Sequence, residues 1–112
     1  MNDINLMNKA ADNIRILAAS MVEKAKSGHP GGAMGGADFV NVLFSEFLVY
    51  DPKNPTWEGR DRYFQDPGHM SPMLYSVLAL TGKFTIDELK EFRQWGSVTP
   101  GHPEVNVMRG IE

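Results

Sequence analysis

The sequence contains no cysteine. Disulfides, thiolate metal sites and cysteine nucleophiles are therefore excluded, and the composition fits a reducing compartment. It also has no cluster of basic residues: 11 lysines and arginines stand against 14 acidic residues, for a formal net charge of -3. Without a basic patch there is no footprint for a phosphate backbone, so nucleic acid is not an expected partner. No apolar run approaches the roughly 18 residues that suggest a membrane span, so no membrane partner is expected either. The opening residues, MNDINLMNKAADN, are polar and acidic. They lack the charged-then-apolar layout of a secretory signal, and the expected location is cytoplasmic. There is no G-x-G-x-x-G, P-loop or H-E-x-x-H pattern. With 112 residues, 42% of them hydrophobic, the chain fits one globular domain with a modest core.

What is present reads as mainly helical. From about Asn5 to Lys26, apolar residues recur at three- and four-residue steps: Met7, Ala10, Ala11, Ile14, Leu17, Ala18, Met21, Val22 and Ala25. That spacing makes one face of a helix. Ser27-Gly28 ends it and Pro30 keeps it from resuming. Gly31, Gly32, Gly35 and Gly36 then leave a turn, a close backbone contact or a flexible region open. A second helix is expected over Ala37 to Val49. Phe39, Val40, Leu43, Phe44 and Phe47 make it too apolar for a small chain to cover, which points to a partner domain or subunit. Residues 50–60 form an irregular connection, with Trp57 packing it onto the helices. One short strand is expected near 61–65, around Tyr63 and Phe64; alone, it would have unpaired edges.

A third helix is expected to start at Ser71-Pro72, with serine as its cap, and to end at Thr81-Gly82. Thr85 and Glu88 make a capping box for a fourth. Its buried side would hold Ile86, Leu89 and Phe92, and Gly96 would stop it. From Ser97 onward the composition reads as an exposed tail.

The three histidines all follow glycine: SGHPGG at His29, PGHMSP at His69 and PGHPE at His102. Histidine is the side chain suited to moving protons near neutral pH. Each position also has a structural reading. His29 would cap the preceding helix through its dipole. His69 would make a loop hydrogen bond, and His102 would sit in a mobile tail. A three-histidine zinc site is a further reading. The separations of 40 and 33 residues, with no helical ligand pair, place nothing on one centre.

Taken together, SGHPGG at 27–32, NPTWEGRDRYF at 54–64, PGHMS at 67–71, FRQWGS at 92–97 and TPGHPE at 99–104 resemble the amino-terminal part of transketolase. The order and spacing cover nearly the whole chain. Deoxyxylulose-phosphate synthases share parts of the pattern but match the third histidine motif less well. The resemblance implies that residues 1–112 are part of the amino-terminal, thiamine diphosphate-binding α/β domain of this transferase family of the pentose phosphate pathway. It implies transfer of a two-carbon ketol unit between sugar phosphates, with a cleft built between subunits. His29 would contact the substrate or assist proton movement. His69 would lie by the diphosphate side of the cofactor, and His102 would meet the hydroxyl end of the donor ketose.

Two residues depart from the family pattern. Met70 stands where many relatives have glycine, and Asp66 adds a negative charge near the proposed diphosphate side. The family's later G-P-L-G-Q-G segment, its G-D-G motif with the downstream asparagine that holds Mg or Ca, and the partner subunit's activating glutamate are not in this sequence. The chain is therefore expected to be a partial domain, as a truncated gene or one component of a split enzyme. It is expected to be inactive alone, to bind thiamine diphosphate weakly or not at all, and to pair as a homodimer or with a longer transketolase component. The alternative is a non-catalytic interaction or structural module derived from a transketolase. No metal ligands are assigned within the chain itself.

Overall fold

A computed structural model describes residues 2–112. The described residues run through five α-helices: α1 (Ile4–Ala25), α2 (Pro30–Gly35), α3 (Ala37–Val42), α4 (Ser71–Leu80) and α5 (Ile86–Lys90). α3 continues as one π-helical turn, Leu43–Phe47, and short 3-10 turns lie at Gly68–Met70 and Val107–Arg109. The mainly helical expectation holds, and the described residues contain almost no strand.

α1 forms where the apolar spacing predicts it. Its first turn is held by Asp3, whose carboxylate accepts from the amides of Asn5 and Leu6 at 2.9 and 3.0 Å. That satisfies two donors with no partner inside the helix. Ala11, Ile14, Ala18 and Met21 face inward. The helix ends at Lys26, which takes a left-handed backbone with φ of 52°.

α4 is the centre of the molecule. Every residue from Ser71 to Leu78 is buried, as expected of a helix packed on all sides. α1, α2, α3 and α5 pack around it. Tyr75 anchors an aromatic cluster with Phe84 and Phe92, ring centroids 5.4 and 6.3 Å away. Phe44 closes the other end against Tyr50 and Tyr63 in edge-on contacts.

Several local expectations are corrected. The glycine-rich stretch after His29 is a short helix, α2, because Pro30 sits in its first turn, where a missing N–H costs nothing. The strand near 61–65 does not form: the segment takes no regular structure, and among the described residues the one bridge joins Asn106 to Ile111. Ser71 is not a cap. It is the first residue of α4, and its hydroxyl donates elsewhere, to the Gly101 carbonyl.

The Thr85–Glu88 capping box is present as expected, but α5 stops at Lys90, and Ile86 is half exposed rather than buried. Trp57 is also partly exposed. The segment after Ser97 is not an exposed tail: Thr99 and Ile111 are buried. The local composition of that segment is polar, but its carbonyls find donors on distant elements.

Candidate functional site

The fold brings the three histidine loops to one place. His29 caps the start of α2 with an extended backbone, φ -125° and ψ 102°. It does not cap α1; Lys26 holds that position, its amide bonded to the Glu23 carbonyl. Gly28 makes this route possible. Its φ is +128°, and a side chain there would press on Val22 and Phe92, at 3.1 and 3.2 Å from an added Cβ. A left-handed backbone with no room for a Cβ calls for glycine.

His69 sits in the 3-10 turn that leads into α4. Its ring lies 4.5 Å from that of His29, centroid to centroid, tilted by 52°. Met70 holds the two loops together. It packs over Gly32 of α2, where an added Cβ would meet its Cγ at 2.9 Å, and reaches Gly36. The side chain that departs from the family pattern thus docks the His69 turn onto the helix that follows His29. Asp66 is exposed and precedes Pro67 through a cis peptide bond.

His102 lies over the same turn. A methyl group added at Gly68 would stand 3.5 Å from its Cγ. Three successive carbonyls fix its approach. Thr99 accepts from the Arg93 amide at 3.0 Å, Pro100 from the Tyr75 hydroxyl at 2.6 Å, and Gly101 from the Ser71 hydroxyl at 2.6 Å. The Thr99 hydroxyl donates in turn to the Glu88 carbonyl. Burial, with Glu104 adding to it, pushes the Tyr75 phenol well above the ordinary tyrosine value. That group stays protonated and serves as a donor.

His29 and His102 are exposed and His69 is half-buried. An open groove of about 750 Å³ runs beside His102, lined also by Ser27, Arg93, Trp95, Ser97 and Glu104. Among the described residues no group of three or more histidine and carboxylate side chains is arranged to hold a metal ion. A small, narrower cavity lined by Phe44, Tyr50 and the Arg60–Glu112 ion pair lies away from the histidines. Chemically, the histidine arrangement offers imidazole donors and acceptors from three loops to one exposed region. Such a set suits phosphate or hydroxyl oxygens and proton transfer. Sequence reading missed Ser27, Arg93 and the carbonyl series at 99–101. The signal was their place in the matched motifs, Ser27 in SGHPGG, Arg93 in FRQWGS and residues 99–101 in TPGHPE.

Residues 6–112 match the family model described as transketolase, thiamine diphosphate binding domain. Among curated relatives, the transketolase of Buchnera aphidicola (subsp. Baizongia pistaciae) is 53% identical over 108 residues, covering 96% of this chain and 16% of the relative. Transketolase 1 of Escherichia coli is 52% identical over 103 residues, covering 91% of this chain and 16% of the relative. A solved Campylobacter jejuni transketolase superposes with a TM-score of 0.89 at 46% identity, over 98% of this chain and 17% of that one. The Leishmania mexicana enzyme gives 0.88 at 45% identity, over 94% and 16%. The chain thus spans about a sixth of the length of the relatives it matches.

Proposed function

This chain belongs to the transketolase family, by the thiamine diphosphate binding domain, and from that premise we propose that residues 1–112 are the amino-terminal part of a cytoplasmic, transketolase-like enzyme. The reaction is transfer of a two-carbon ketol unit from a ketose phosphate to an aldose phosphate. The observation that carries the reading is the meeting of the loops bearing His29, His69 and His102, two of whose rings lie 4.5 Å apart.

The donor set fits part of such a site. Imidazole N–H groups suit the diphosphate oxygens of thiamine diphosphate and the hydroxyls of a sugar. His69 is the residue that would hold the cofactor's diphosphate side. A divalent ion, Mg or Ca, would take its ligands from elsewhere, because the described residues hold no suitable cluster. When bound, thiamine diphosphate supplies the electron sink for breaking and making the carbon–carbon bond. The chain's own residues orient the sugar and move protons. His29 and His102 bind substrate hydroxyls, and His29 exchanges a proton beside the reacting carbon.

The chain alone is inactive on this reading, and it works as a homodimer or with a longer transketolase component. Exposed Phe39 and Phe47 on the α3 face, 64% and 69% accessible, favour such a partner. The same face supports the second reading, a non-catalytic interaction module.

A chimera separates the two readings. The corresponding segment of a full-length relative is replaced by this chain, and turnover is measured. An active chimera that loses turnover when His29, His69 and His102 are all replaced by alanine supports the catalytic reading. Unchanged turnover in the triple variant overturns the assigned roles. An inactive but folded, dimeric chimera favours the interaction module.

A further inference from the structure

Arg93 has no place in the chemistry above, yet it is the residue that touches both exposed histidine loops. Its backbone is left-handed, with φ of 61°, which is uncommon for a residue with a side chain and marks a constrained position. The conformation turns its amide onto the Thr99 carbonyl at 3.0 Å. It also sends the side chain back across the ring of Phe92, 5.6 Å from the centroid. The guanidinium Nη1 then donates to the Ser27 hydroxyl at 3.0 Å, across 66 residues of sequence.

Both neighbouring backbones lie against it. An added Cβ at Gly101 would meet Arg93 Nε at 2.9 Å, and one at Gly28 would meet it at 3.6 Å. Arg93 Nε is buried with no hydrogen-bond partner among the described residues. Gly28 precedes His29 and Gly101 precedes His102. One planar group therefore separates and joins the two segments that deliver these imidazoles. Lysine lacks such a plane and fork and does not substitute for it.

We propose that Arg93 is a positioning residue, a wedge between the Ser27–Gly28 and Gly101 backbones that sets the spacing of His29 and His102. The proposal rests on the reading that these histidines act together, but its test reads loop geometry without turnover. The full 112-residue chain is labelled with 15N, and backbone order parameters and imidazole resonances are recorded for Arg93→Asn and Ser27→Ala. Asparagine tolerates the left-handed backbone but cannot span the gap.

In Arg93→Asn, order parameters at Gly28, His29, Gly101 and His102 are expected to fall from about 0.85 towards 0.6. The His29 and His102 imidazole resonances should move, while the interior of α1 stays rigid. Ser27→Ala should loosen Gly28 and His29 only. Unchanged loops in Arg93→Asn, or equal loosening of α1, overturn the proposal. If Arg93→Asn does not fold, Ser27→Ala decides: an unmoved His29 loop overturns it. An inactive chimera together with loosened loops would sink the catalytic reading and leave the wedge standing.

Discussion

The Ser71 hydroxyl donates a 2.6 Å hydrogen bond to the Gly101 carbonyl, joining the start of α4 to a segment 30 residues further along. Ser71 is fully buried. The bond links the turn that carries His69 to the loop that carries His102. Ser71→Ala should cost about 1–2 kcal/mol, because a carbonyl loses its donor where water has little access. Urea unfolding measures it; an unchanged midpoint would mean that Gly101 finds another donor at no cost.

Gly28→Ala should destabilise by about 1–3 kcal/mol, since φ of +128° and two close neighbours both oppose a side chain. Shortening Val22 to alanine in the same chain relieves one of the two close contacts and leaves Phe92 and the backbone angle in place. The double variant should recover some of the loss, not all. Complete recovery would show that neither the backbone angle nor the Phe92 contact carries a penalty.

Acid should weaken the contact between α5 and the Val107–Arg109 turn. Glu88 is held below the ordinary carboxylate value, first by the Arg109 side chain and then by the Thr85 amide. Arg109 donates to its two oxygens at 2.8 and 2.9 Å. A depressed folded-state pKa contributes stability that is complete above the unfolded carboxylate value and is lost as pH falls through the folded one. Arg109→Met should therefore flatten the loss of stability below about pH 5. Parallel acid slopes in urea melts of the two proteins would contradict this.

Self-association should depend on the α3 face. Light scattering is expected to give a mass above the monomer for the native chain, and a lower one for Phe39→Ser combined with Phe47→Ser. Both rings are largely accessible in the single chain, and covering them removes apolar area from water. A strict monomer at high concentration would rule out the homodimer.

Thiamine diphosphate with magnesium should bind the isolated chain weakly or undetectably by calorimetry. The histidine loops supply donors, but no described cluster supplies ligands for the ion that would offset the diphosphate charge. Tight binding would show that a second copy or another pocket completes the site.

The sequence by itself determined the features that depend on neighbours a few residues away. The apolar step pattern of α1 gave its face and, within a residue, its length. The Thr85–Glu88 capping box could be read because its bonds close within one helical turn. The order of the three histidine motifs identified the family for the same reason: each motif is a short, contiguous run.

Only the tertiary structure decided what each polar segment does with its backbone. Ser71 looks like a cap until Gly101 is placed beside it. Residues 99–101 look like a loose tail until Arg93, Tyr75 and Ser71 each donate to one of their carbonyls. Residues 61–65 look like a strand until the lack of a ladder partner leaves them without regular structure. The 4.5 Å approach of His29 to His69 likewise follows from Met70 seated on Gly32. A hydrogen bond or a packing contact between residues tens of positions apart has no local period or composition to announce it. Such contacts exist only once the chain has folded around α4.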